Sequence, residues 1–119
     1  MSQDFQAGDF LIFQIEAGYG LLRLLSVDDT EEGKVWHVSA YEDLFLDVDS
    51  ADKAIGDEKD LKVSKPHLAL TTRAFEATQT ARMGNRELVE DELRPLEDWR
   101  ASQDGKVSDL SVRLLLGLR

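Results

Sequence analysis

The sequence predicts an α+β fold: a small antiparallel sheet curled into a partly open β-barrel over residues 1–77, with helical segments from residues 78–119 packed on it as one domain. Three observations carry this reading. Apolar residues alternate with period two through Gly8–Tyr41, the pattern of strands. Glycine and acidic loops cut that region into short runs, as hairpins do. In the last third the apolar spacing changes to i, i+4 and i+7 at Val89, Leu93 and Leu96, the stripe of a helix.

Asp9–Glu16 reads as the first strand, with Leu11, Phe13 and Ile15 on one face and Phe10 and Ile12 on the other. Tyr19–Val27 reads as the second. Leu21, Leu25 and Val27 share one face, and Leu22 and Leu24 the other, so the strand is expected to be central and covered on both sides. Ala17-Gly18 between them is a turn signal, because glycine takes positive φ without steric cost. Asp28–Gly33 is a polar loop. Lys34–Tyr41 is a third strand, with Trp36, Val38 and Ala40 opposite His37 and Ser39. Leu44, Leu46 and Val48 suggest a short fourth, followed by one helical turn from Ser50, as its cap, to Gly56. Pro66 opens a further strand over His67–Ala77, with Leu68 and Leu70 facing inward. Pro95 is expected to break the helical stripe near Arg94 and to start a new helix that runs to Trp99 or Ala101. Ser108–Leu118 alternates like a strand, yet Ser108 suits a cap, Gly117 a stop, and leucine favours helix, so helix is preferred.

The chain has 119 residues, 42% hydrophobic and 32% charged, enough to bury a core. It has no cysteine, which removes thiol chemistry and fits a reducing, cytoplasmic location. MSQDFQAGDF lacks a basic segment followed by an apolar core, so no secretory signal is read. No apolar run approaches the roughly 20 residues of a membrane span. Net charge is −10, and Asp28–Asp60 holds twelve acids against three lysines. That block repels nucleic acid and anionic lipid and attracts basic partners.

Several patterns invite chemistry. Asp47, Asp49 and Glu58 fall at positions 1, 3 and 12 of a calcium loop, but Ala51 and Asp52 stand where a ligand and a glycine are needed, so no metal or other cofactor is expected. His37 and His67 face away from the Trp36 and Leu68 sides, and act together only if their strands are neighbours. Glu87, Glu90, Asp91, Glu92, Glu97 and Asp98 would supply the carboxylates of a hydrolase, or simply the solvated face of a helix. No nucleophile-elbow pattern surrounds Ser26, Ser39 or Ser64, and no catalytic residue is assigned. Tyr19 beside the turn and Trp99 on a short helix are candidate contact aromatics. Arg23 interrupts a leucine-filled strand, where it either pairs with a carboxylate of the acidic third or projects at the barrel rim toward a ligand.

Gly8, Asp9, Gly18, Tyr19, Gly20 and Arg23, within GDFLIFQIEAGYGLLRLL, resemble the first hairpin of SH3-like barrel proteins predicted to be bacterial immunity proteins of polymorphic toxin systems. The resemblance spans about the first quarter of the chain and implies an SH3-like barrel that binds a protein toxin. The function expected is therefore non-enzymatic protein binding. The candidate contact residues are Tyr19, Arg23, Glu42, Asp43, Asp47, Asp49, Asp52 and Trp99, and the partner is basic. The alternatives are a small carboxylate hydrolase and, against the charge, a nucleic-acid-binding barrel that uses Arg73, Arg82, Arg86 and Arg94. A leucine-rich second strand, or the C-terminal segment, at an exposed edge would make a homodimer natural.

Overall fold

The computed structural model describes residues 5–56, 61–102 and 105–118. Five strands form one antiparallel sheet in the order β4-β3-β2-β1-β5: β1 Asp9–Ile15, β2 Gly18–Thr30, β3 Gly33–Tyr41, β4 Val63–Thr71 and β5 Thr80–Asn85. β4 and β5 lie at opposite edges, so the sheet does not close into the barrel expected from the sequence. Closure is unnecessary because helices cover both faces: α1 Val48–Gly56, α2 Thr72–Thr78, α3 Glu90–Ala101 and α4 Val112–Leu115. β2 lies inside the sheet, which removes the exposed edge on which a homodimer through that strand depends.

The β1–β2–β3 meander follows the alternation. On the first face Leu11, Phe13, Ile15, Leu22, Leu24, Val38, Ala40 and Leu70 form a core with Ala74 and Phe75 of α2 and Val112 of α4. On the second face Phe10, Leu21 and Tyr41 pack with Ile55 of α1. One detail departs from strict alternation. Leu24 pairs with Val38 while Ser26 pairs with His37, so Leu25 is an extra, bulged residue. Beyond it the faces exchange. Val27 packs on the first-face core, not beside Leu21 and Leu25 as expected, and Asp28 turns to the second face.

Glycines act where backbones approach closely. The hairpin turn is Glu16-Ala17, and Gly18 already pairs with Ile15. A Cβ on Gly18 would strike the Phe45 carbonyl oxygen, which accepts a 2.8 Å hydrogen bond from the Tyr19 N–H. Gly18→Ala is expected to cost about 1 kcal/mol by forcing these segments apart, read as a lowered urea midpoint. A midpoint equal to that of the wild type would show that the loop gives way freely.

The remaining elements correct the sequence reading. Phe45 makes only an isolated bridge to Tyr19, so no strand forms over Leu44–Val48. The chain turns at once into α1, whose start is capped by Asp47: its Oδ1 accepts a 2.8 Å bond from the Ser50 N–H. The strand expected over His67–Ala77 ends at Thr71, where the side chain caps α2 by accepting from the Ala74 N–H at 3.1 Å. α2 stops at Gln79 in the left-handed region, φ 55°. β5 then forms in a segment read as helical. α3 runs unbroken through Pro95. The lost N–H bond and the clash are borne because the helix is tied down by buried Leu96, by Glu92 and by Arg100. Ser108 caps no helix. It lies along the outer edge of β4, accepting from the Thr71 N–H at 3.0 Å and donating to the Ala69 carbonyl at 2.8 Å. Only Val112–Leu115 of the C-terminal segment is helical.

Candidate functional site

The acidic third does not make one surface. Asp29, Glu31 and Glu32 lie at the β2–β3 hairpin, Asp28 turns onto the second face, and Glu42–Asp52 lie at the other end of β3. Asp57, Glu58 and Asp60 fall outside the described residues. The calcium pattern loses its first members to α1: Asp47 is a helix cap and Asp49 sits in the first turn. The bonds from Ser50, side chain first and then backbone, hold the Asp47 carboxyl below its usual value. Among the described residues no three His, Asp or Glu side chains form a metal-binding cluster.

Segment Glu42–Asp52 is nevertheless a coherent place. It is held at Glu42, whose N–H donates to the Lys62 carbonyl at 2.8 Å, and at Asp43, whose carboxylate accepts from the Lys62 N–H at 2.7 Å. The Tyr19–Phe45 bridge holds its middle. Between these ties Leu44, Leu46 and Val48 are 51%, 86% and 44% exposed. Glu42, Asp47, Asp49 and Asp52 are exposed around them. Tyr19 is half-buried beside this segment, as a contact residue at the hairpin should be.

Arg23 and Trp99 belong elsewhere. Arg23 is fully buried and reaches no rim. Its Nε donates to the Gly8 carbonyl at 3.0 Å, its Nη2 to the Arg86 carbonyl at 2.6 Å, and its Nη1 to Glu92 at 2.9 Å, while the guanidinium carbon lies 4.2 Å from the Phe10 ring centroid. Its carboxylate partner thus comes from α3 and not from the acidic third. Gly8 and Asp9 are structural too. Gly8 has φ +93°, with the Arg86 carbonyl 2.5 Å from where a Cβ would stand. Buried Asp9 accepts from Asn85 at 2.8 Å and Arg82 at 3.1 Å, which clamps β5 to β1.

Trp99 packs on a second group that the sequence only half revealed. β3 and β4 are neighbours, and this brings His37 and His67 together: His37 Nδ1 and His67 Nε2 are 2.8 Å apart. The ring centroids are 5.1 Å apart with planes at 22°. That separation is the nitrogen gap plus one ring radius at each end, so the rings meet end to end along an in-line hydrogen bond. His37 Nε2 lies 3.0 Å from Asp28 Oδ2. A carboxylate only accepts, so His37 places its proton on Nε2 and offers the Nδ1 lone pair to the His67 Nε2–H. Arg100 closes the far end, donating to Asp28 Oδ1 at 2.6 Å. Trp99 meets His37 edge-on at 4.9 Å and donates its indole N–H to the Lys106 carbonyl at 3.2 Å.

Burial lowers the His37 pKa, and the nearby Arg100 charge adds to this, against the raising pull of Asp28's charge and hydrogen bond. Burial, then the charges of His37 and Arg100, push His67 down to about 4. Burial pushes Asp28 up, but hydrogen bonds from Arg100 and Ser26 and the charges of His37 and Arg100 outweigh it and leave the carboxyl low. Near neutral pH the line is therefore a carboxylate followed by two neutral imidazoles. Sequence reasoning missed Asp28 because it placed that residue in a polar loop over Asp28–Gly33, whereas β2 runs to Thr30 and Asp28 pairs with Val35; Arg100 reaches it only through the packing of α3. Comparison with protein-family models, curated proteins and solved structures finds no match for this chain.

Proposed function

We propose that the protein is a binding module that docks a basic protein on the Glu42–Asp52 segment beside Tyr19. The observation that carries this reading is the exposure of Leu44, Leu46 and Val48 within five residues, among exposed carboxylates. A lone exposed leucine is ordinary on a protein surface; a rimmed apolar group is the pattern of a contact site. The apolar side chains supply affinity as they lose water, and the carboxylates speed the approach of a cationic surface. The net charge of −10 adds a long-range field of the same sign. In its narrower form, resting on the hairpin's resemblance to immunity proteins, the partner is a cationic toxin domain whose phosphate-binding surface is filled by these carboxylates.

The other readings have less to draw on. Of the carboxylates a hydrolase would use, Glu92 is taken up by Arg23 at 2.9 Å and Asp91 by Arg94 at 3.2 Å. Of the arginines a nucleic-acid surface would need, Arg82 is bound to Asp9, Arg86 donates to the Ile55 carbonyl at 2.8 Å, and Arg73 lies 3.7 Å from Asp109.

The test is an affinity capture followed by titration of the identified partner. Wild-type protein is expected to retain a basic protein at low salt and release it at high salt. Leu46→Ser should weaken binding at least about tenfold. Asp47→Asn with Asp49→Asn and Asp52→Asn should flatten the salt dependence. A partner indifferent to both sets of changes would overturn the proposal.

A further inference from the structure

Away from the acidic segment, the Asp28–His37–His67 line ends in an open nitrogen. Among the described residues no buried side-chain nitrogen or oxygen lacks a hydrogen-bond partner. His67 spends Nε2 on His37, and among the described residues no hydrogen bond reaches its Nδ1, so that atom meets solvent. His67 lines a cleft of about 520 Å³ at the β4 edge, together with Leu68, Pro95, Trp99, Ser108 and Leu115. Asp98, Ser102 and Lys106 line it as well, so the cleft offers mixed apolar and polar walls and a histidine lone pair whose direction is set from behind.

We propose that this cleft is a site for small acyl esters, in which His67 Nδ1 is the nucleophile and His37 and Asp28 position it and take up its charge. The tautomer is the reason. His37 donates Nε2–H to Asp28 and receives Nε2–H from His67, which leaves the electron pair of His67 on Nδ1, the atom that meets solvent. Burial, reinforced by His37 and Arg100, keeps His67 neutral down to about pH 4, so the lone pair is available across the neutral and mildly acidic range. The charged groups around the pair are Asp28 from β2, Arg100 and Asp98 from α3, and Lys106 from the segment after it.

In the first step Nδ1 forms a bond to the carbonyl carbon, the ester C–O bond breaks, and its electron pair leaves on the alcohol oxygen. The Nε2 proton crosses the 2.8 Å gap to His37 Nδ1, which becomes an imidazolium against Asp28. Water then attacks the acyl-imidazole. Its hydroxyl completes the carboxylic acid, its remaining proton goes to solvent or to the leaving alkoxide, the C–N pair returns to Nδ1, and His37 returns its proton to His67 Nε2.

The experiment is hydrolysis of p-nitrophenyl acetate by the full chain, followed as nitrophenolate release. Wild type is expected to exceed the buffer blank, with activity lost on acidification around pH 4 and not near 6.5, the ordinary imidazole value. His67→Gln should fall to the blank. His37→Gln should slow release at least about tenfold and move the midpoint up toward 6.5. In the wild type, diethyl pyrocarbonate should modify His67 and spare His37, a measurement that needs no variant. Full activity in His67→Gln, a wild-type midpoint near 6.5, or faster modification of His37 than of His67 would each overturn the assignment.

Discussion

Arg23→Ala is expected to destabilise the fold by about 3–5 kcal/mol, a large share of the roughly 5–15 kcal/mol that holds a domain of this kind. The side chain is buried within a leucine-rich strand and satisfies two carbonyl groups and one carboxylate that arrive from separate parts of the chain: Gly8, Arg86 and Glu92. Removing it strands those oxygens and leaves a void against Phe10. Arg23→Lys is expected to recover little, because one ammonium cannot reproduce a planar fork that serves several acceptors. Glu92→Gln should cost only about 1 kcal/mol, because the Glu92 side chain is 29% exposed and water can replace part of what is lost. Urea unfolding followed by tryptophan fluorescence measures all three. An Arg23→Ala midpoint close to wild type would mean that Gly8, Arg86 and α3 are held by something else.

Stability is expected to fall by about 2 kcal/mol between pH 7 and pH 4.5. The sign follows from the depressed values. An unfolded histidine takes up a proton near 6.5, whereas folded His67 resists until about 4. In that window the unfolded chain binds more protons, so acid favours it. Burial shifts His37 the same way. Asp28, held low, keeps its contribution above its ordinary value of 3.8 and loses it as pH drops further. The magnitude is discounted because His67 is partly exposed. His67→Gln should flatten the slope between pH 7 and 4.5. A wild-type midpoint that ignores pH over this range would rule out a neutral, buried histidine pair.

How far the sequence carried depends on what each element rests on. The β1–β2–β3 meander was legible because its residues alternate and both faces of β2 are apolar. The side of His37 and His67 was legible by the same rule, but their meeting was not, since it depends on β3 and β4 being neighbours. α2 was hidden because its residues continue the β4 pattern, and only Thr71, a good cap ahead of Ala74, marks the change. β5, Thr80–Asn85, carries too little apolar or β-branched character to declare itself; it is held by Asp9 through Asn85 and Arg82. Arg23 misled because a charge on a strand suggests a rim, and its partners lie fifteen or more residues away. Pro95 misled because propensity yields to tertiary anchoring.

The extra residue at Leu25 sets the parity of all that follows it in β2. Were Leu25 paired in a regular ladder, Asp28 would point into the layer of Phe75 and Val112, and Val27 would stand on the side of His37. Deleting Leu25 regularises the ladder and leaves Ser26, Val27 and Asp28 opposite His37, Trp36 and Val35, so it should keep the anion beside the imidazoles. The polar line across one side of the sheet exists because the ladder skips one residue of this strand.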